Sequence, residues 1–223
     1  MMKKILSLVI VGMMAASSAS AQNDDYYRHE VGVTIGSGAT TEIFSGLADL
    51  TEMLISATVT STVTGGMGTG YYNYGDEKYI PTITAEYYYH VNKWLGLGGF
   101  VAFNGLDRDM YAEWTNNTNG NHYKEKTGQA RRRNLSIIPT AKFDWLRKKY
   151  FGMYSKLGMG VSFMHESQKD DVDGGLDYSD TETIFNVQVS LLGIEAGSRN
   201  IRGFVELGMG EQGILLAGLR YKF

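Results

Sequence analysis

The chain has 223 residues and a formal net charge of −3 at pH 7. This acidic balance argues against nucleic acid as a partner, because phosphate binding needs an excess of Lys and Arg. The sequence contains no cysteine, which excludes disulfides, thiolate metal sites and thiol nucleophiles. Glycine is frequent and proline rare, a balance that favours many long strands packed closely around an axis.

Residues 1–21 predict a secretory signal peptide. Lys3 and Lys4 precede the apolar run 5–14, and Ala19-Ser20-Ala21 forms an A-x-A cleavage site. The apolar run is too short for a membrane-spanning helix, which needs about 20 apolar residues. We therefore expect a mature chain that starts near Gln22 and forms one domain over 22–223.

Alternation of apolar and polar residues with period two predicts eight strands in the mature chain. In chain order they lie around 31–35, 79–89, 95–103, 135–145, 151–163, 185–191, 201–209 and 215–223. About ten residues at ~3.3 Å rise and ~40° tilt cover roughly 25 Å, the height of an outer-membrane apolar band. We expect a bulge or a missing hydrogen bond near Pro139, which lies mid-strand, whereas Pro81 lies near a strand start.

Residues 41–57 break the strand pattern inside the first long connection. Their apolar residues recur at helical spacing: Ile43, Phe44, Leu47, Leu50, Met53, Leu54 and Ala57. Thr40 or Thr41 is a candidate N-cap. The pattern predicts a short amphipathic helix that lids the mouth of the strand assembly, folds into it, or lies on a membrane surface.

The predicted connections differ in length between the two rims. Those at 90–93, 146–149 and 196–200 are short, whereas 37–77, 105–130 and 166–180 are long. Short turns on one rim and long loops on the other are typical of a bacterial outer-membrane barrel. The predicted fold is all-β: an eight-stranded antiparallel up-and-down transmembrane β-barrel, with the helix in its first external loop.

With these elements the chain resembles the small eight-stranded outer-membrane β-barrel proteins of Gram-negative bacteria, the outer membrane protein β-barrel domain group. The features that carry the resemblance are the signal peptide, the alternation, the terminal LRYKF and the stretch Lys142–Gly160. The resemblance implies that Leu219, Tyr221 and Phe223 form the signal read by the barrel-assembly machinery. It also implies an outer-membrane location, in contact with lipid and lipopolysaccharide.

The opposite strand faces carry charges of both signs. If the apolar faces point outward, Glu30, Glu86 and Glu206 lie inside together with Lys142, Lys156 and Arg220. An eight-stranded barrel has room only for side chains, so these groups are expected to pair and close the lumen. The alternative is a conduction path, although open aqueous pores are typical of barrels of 16–18 strands.

Two further charged segments are candidate sites. The run Arg131, Arg132 and Arg133 suits lipopolysaccharide phosphates, the alternative being a solvated charge run. Asp171 to Gly174 resembles part of a calcium loop but lacks its other ligands, so a solvated acidic loop is expected, with a weak Ca²⁺ site as the alternative. We predict no metal site and no cofactor.

One segment is a candidate for catalysis. His165-Glu166-Ser167 resembles, in composition, the sites of lipid A acyltransferases and deacylases built on small barrels. Adjacent strand residues point to opposite faces, so the three cannot easily converge, and we predict no enzyme. The sequence predicts a structural or surface-interaction role through long external loops, with an unknown partner and oligomeric state. The alternatives are a lipid A-modifying enzyme and a secreted soluble β-sandwich.

Overall fold

The computed structural model describes residues 27–171 and 177–223. The predicted signal peptide, the start near Gln22 and residues 172–176 of the acidic loop lie outside this part of the chain. The described chain is all-β, with eight antiparallel strands in one ring-like sheet and one helix. The elements are β1 His29–Ser37, α1 Thr40–Val63, β2 Gly68–His90, β3 Leu95–Asn116, β4 His122–Arg147, β5 Phe151–Asp170, β6 Tyr178–Gly197, β7 Ile201–Met209 and β8 Leu215–Lys222.

Each strand pairs with its neighbours in sequence, and β8 pairs with β1 to close the ring. Val33 of β1 lies opposite Ala85 of β2 on one side and Leu219 of β8 on the other. The alternation of the sequence fixes this register, because a one-residue slip would turn every apolar residue to the other face. A two-sheet β-sandwich, the architecture of the second alternative, is not found in the described part of the chain, because the eight strands form a single ring.

The ring is much taller on one side. β2 to β6 have 20–26 residues each, whereas β1 and β7 have nine and β8 has eight. We call the rim with turns at 91–94, 148–150 and 198–200 the turn rim, and the opposite, uneven edge the tall rim. Above β7, β8 and β1, the five long strands form a curved wall that is open on one side.

Much of the tall wall consists of segments that the sequence predicted to be loops. Residues 68–78, 107–116 and 122–130 are strand, and the β3–β4 connection is only 117–121. These segments carry polar residues on both faces, so they show no apolar alternation. Ladder hydrogen bonds and cross-strand pairs support them instead, as where Glu113 lies opposite Lys124.

Pairing is interrupted at Pro139, as the sequence predicted, whereas Pro81 differs from expectation. The β4–β5 register is the same on both sides of Pro139, although the pairs at 138 and 139 are missing. The bulge lies at Pro81, where the β2–β3 register shifts between Ile80 and Ile83. Pro81 is therefore inside a strand and not near its start, because β2 begins at Gly68.

The helix is longer than the predicted 41–57 and has a different start. The backbone amides of Gly38 and Ala39, which precede the helix, donate to the Glu42 carboxylate in its first turn at 3.0 and 3.1 Å. Neither Thr40 nor Thr41 caps the helix, because Ala39 occupies the N-cap position. The helix continues to Val63 through a Thr- and Ser-rich end whose hydroxyls bond to carbonyls one turn earlier.

Candidate functional site

Charged side chains fill the interior of the ring near the turn rim. All six residues that the sequence placed inside are found there, fully or almost fully buried. Lys142 Nζ lies 2.6 Å from Glu30, and Lys156 Nζ lies 2.7 Å from Glu206 and 3.1 Å from Glu86. Arg220 Nε lies 2.7 Å from Glu30, and its Nη2 lies 2.5 Å from Glu86.

The structure adds residues to this cluster that sequence reasoning left out. Glu195 accepts hydrogen bonds from Arg220 at 2.9 Å and Arg202 at 2.6 Å, and it pairs with Lys222. His90 Nε2 lies 3.1 Å from Glu30, and its Nδ1 lies 3.4 Å from Asp144. We call the whole set the interior network: Glu30, Glu86, His90, Lys142, Asp144, Lys156, Glu195, Arg202, Glu206, Arg220 and Lys222.

Apart from His90, the interior network holds equal numbers of carboxylates and basic groups. Burial makes an unpaired charge costly, and each charged group of the interior network has a close partner of opposite sign. Aromatic rings add to this around Arg220, whose guanidinium carbon lies 3.9 Å from the Phe204 ring centroid and 4.7 Å from that of Tyr154. The Tyr154 hydroxyl donates to Glu206 at 2.6 Å.

The β7–β8 turn folds into the ring above the interior network. Glu211 and Gln212 at its tip are fully buried. Gln212 accepts from Lys156 at 2.8 Å, and Glu211 accepts from the Thr41 amide at 3.0 Å. Gly213 has a φ of +105°, and a Cβ there would lie 2.5 Å from the Ser37 carbonyl oxygen, so the turn requires glycine. The turn separates the interior network from the space inside the tall wall.

Inside the tall wall, the polar side of α1 packs on β2 to β4. Asp49 accepts from Arg108 Nη2 at 2.8 Å, and the Arg108 guanidinium lies 3.4 Å from the Tyr74 ring centroid. Burial in this layer raises the pKa of Tyr74 to about 12. On the same wall, the Asn73 amide donates to Glu113 and lowers the pKa of that carboxyl.

The apolar side of α1 faces away from the wall. Phe44, Leu47, Leu50 and Leu54 are more than half exposed. By length and composition alone, the helix is apolar enough to cross a membrane. Its orientation is the reverse of an ordinary surface helix, which buries its apolar stripe. The sequence left three positions open for this helix: a lid over the mouth, a position folded into it, or a membrane surface. In the structure α1 lies against the inner side of the tall wall.

A cavity of about 430 Å³ lies between the first turns of α1 and strands β5 and β6. Its lining is mostly apolar, with Phe44 and Ala48 on the helix side and Met164 and Ile184 on the strand side. Arg132 also reaches the cavity, together with the carboxylates Glu166, Asp180 and Glu182. The cavity thus combines apolar walls with an excess of negative charge.

The predicted arginine run divides between two faces. Arg131 and Arg133 point outward and both pair with Asp107, at 3.2 and 2.7 Å. Arg132 points inward, is only 8% exposed and lies 3.0 Å from Glu166. The prediction that all three contact lipopolysaccharide is therefore wrong for Arg132, because successive strand residues face opposite sides.

The predicted catalytic candidate does not assemble. His165 lies on the outer face, where its Nδ1 is 2.9 Å from the Thr181 hydroxyl. Glu166 points inward to Arg132. His165 and Glu166 therefore cannot act on the same group. Asp171 is described, but the rest of the proposed calcium segment lies among residues 172–176.

Leu219, Tyr221 and Phe223 of the predicted assembly signal all lie on the outer face of β8, about half exposed. The Phe223 ring stacks on His29 with centroids 5.2 Å apart, and Tyr221 stacks on Phe223 at 5.6 Å. Tyr89 adds an edge contact to His29 at 5.4 Å. These rings form an aromatic cluster at the turn rim.

No protein-family model matches the sequence, and no curated protein is found that resembles it.

Proposed function

We propose that this chain is an integral outer-membrane β-barrel protein with a filled interior, and that it serves a structural or surface-interaction role through its tall wall. One observation carries the proposal: the ring is apolar outside and charged inside. Val31, Val33 and Ile35 of β1 are 39%, 59% and 54% exposed, whereas Glu30 beside them is fully buried. In water this arrangement exposes the apolar faces of eight strands, while in a bilayer it buries them.

The dimensions of the ring support insertion. The nine residues of β1, at ~3.3 Å rise and ~40° tilt, cover about 23 Å along the ring axis. This is close to the ~25 Å height of the apolar band of outer-membrane barrels. A closed ring also leaves no strand edge in the hydrocarbon, where an unpaired backbone amide is costly. The aromatic cluster at the turn rim suits the lipid–water interface.

The filled interior supports a role other than conduction. The interior network and the β7–β8 turn occupy the ring along its axis, with Lys156 bonded both to Glu86 and to Gln212 of the turn. A solute path would have to separate buried ion pairs, which are strongly destabilised when one partner is lost. The parts left for function are α1 and the tall wall, which stand above the apolar band.

The proposal includes the leader 1–21 as a cleaved signal and the LRYKF ending as the assembly signal. In this orientation the turn rim faces the periplasm and the tall wall faces the exterior, next to lipopolysaccharide. Arg131 and Arg133 remain the candidate contacts to its phosphates. We propose no catalytic role, since His165 and Glu166 face opposite sides of β5.

Expression in a Gram-negative host tests the proposal. The protein should stay in the membrane fraction after carbonate extraction, and its gel mobility should change on boiling. A protease added to intact cells should cleave within the tall wall and leave the eight-stranded core. A soluble periplasmic product whose mobility does not change on boiling would refute membrane insertion.

A further inference from the structure

The upper part of β6 has a free edge. β6 pairs with β5 from Tyr178 onward, but it pairs with β7 only from Val189 onward. Gly210 of the β7–β8 turn lies against Val187 and Gln188. Residues 178–186 therefore have one strand neighbour among the described residues. The amide and carbonyl groups of this segment that point away from β5 are a template for another extended chain. We call this segment the β6 edge.

The 430 Å³ cavity lies directly beside the β6 edge. Its lining includes Ile184, which points into the ring, and Phe185, which points outward and is 65% exposed. The cavity therefore reaches around the edge, and Phe44 of α1 forms its far side. Its volume falls within the ~300–1,000 Å³ of ordinary binding pockets. A chain paired with the β6 edge would direct an apolar side chain into it.

The charges on the β6 edge define the partner further. Asp180 and Glu182 lie on the inward-facing side of β6, are exposed, and form no ion pair within the described residues. Opposite charges placed directly across a strand pair stabilise it, and like charges destabilise it. Two β6 edges paired symmetrically about Glu182 would bring these carboxylates together, which disfavours a second copy as the occupant. Basic residues opposite Asp180 and Glu182 would be favoured.

We infer that the β6 edge binds an extended peptide segment of another protein by strand addition. The segment carries basic residues opposite Asp180 and Glu182 and an apolar residue that enters the cavity beside Ile184. Main-chain hydrogen bonds supply affinity in this mode, and the side-chain positions supply specificity. The inference rests on the proposed surface-interaction role and names its partner class.

A synthetic peptide tests this directly. The probe is a capped nonapeptide with one Leu and two Lys at successive alternate positions and Thr elsewhere. It is titrated into the purified protein in lipid nanodiscs, with calorimetry as the readout. We expect saturable binding, and binding about tenfold weaker to the double variant Asp180→Asn/Glu182→Gln. Glu125→Gln, an exposed carboxylate on β4, should bind within twofold of the unchanged protein.

A second peptide separates strand addition from simple charge attraction. It has the same sequence with N-methyl groups on alternate backbone amides. One version is methylated at the odd-numbered positions and the other at the even-numbered positions, so that only one of them blocks the amides that face the β6 edge. One version should lose binding, because its edge-facing donors are blocked. Equal binding by both methylated versions, no saturable binding, or no effect of Asp180→Asn/Glu182→Gln would overturn the inference. Heat-modifiable mobility of each variant in the nanodiscs shows that the ring is folded and inserted, so a loss of peptide binding is distinguished from a failure of membrane insertion.

Discussion

Val33 offers a direct test of where the outer face of the ring resides. It is the central residue of β1, points outward and is 59% exposed. If the apolar band lies in a bilayer, Val33 is near its midplane. An arginine there should destabilise the folded protein by about 2–4 kcal/mol. If the ring were surrounded by water, the same change at an exposed position would stay within about 0.5 kcal/mol.

The assay is equilibrium unfolding by guanidinium in phospholipid vesicles, followed by tryptophan fluorescence. The matched control is Ser179→Arg, at an exposed position on the tall part of β6. The control should stay within about 0.5 kcal/mol of the unchanged protein. A cost below about 1 kcal/mol for Val33→Arg, or an equal cost for both variants, would refute the reasoning that places the apolar band in lipid.

Four further predictions follow from the contacts described above. Lys156→Met removes the cation between Glu86 and Glu206 and should cost about 3–5 kcal/mol in the same unfolding assay, whereas a loss under about 1 kcal/mol would contradict a buried network. Lys126→Met, which breaks an exposed pair with Asp109, is its control and should cost about 1 kcal/mol or less. Asp49→Asn weakens the attachment of α1 to Arg108, so limited proteolysis should cleave α1 faster with the ring intact; unchanged cleavage would show that this contact does not hold the helix. Phe223→Ser should lower the yield of heat-modifiable protein, and normal yield would remove the assembly role of the ending. His165→Ala should leave the mass spectrum of lipid A unchanged, and an altered spectrum would revive the enzyme alternative.

Sequence alternation predicted the strand segments in which one face is apolar and the other is polar or charged. The strand around Val31–Ile35 is found because apolar and polar residues alternate strictly there. The tall part of β4 was missed because residues such as Lys124 and Glu125 are polar on both faces. Strands of that kind are supported by neighbouring strands, and a single-segment pattern cannot report this support.

The interior residues divide in the same way. The inward positions of Lys142 and Arg220 are predicted by the alternation of apolar and polar residues along their own strands. Glu195 does not, because counting from Phe185 puts it outside. An extra residue between Ser190 and Leu192 reverses the phase and turns Glu195 inward. His90 was assigned to a turn, although it continues the inward phase of Glu86 and stays in β2.

The placement of Arg220 and Lys222 on the last strand links the closing of the ring to the neutralisation of its charges. Glu30, Glu86 and Glu195 come from three earlier strands, and each pairs with Arg220. Until β8 docks, these carboxylates lack that shared cation while facing one another across the interior. The final hairpin also delivers Gln212, so sealing and charge balance arrive in one step. A partly closed intermediate is therefore electrostatically penalised, and folding of the ring should be strongly cooperative.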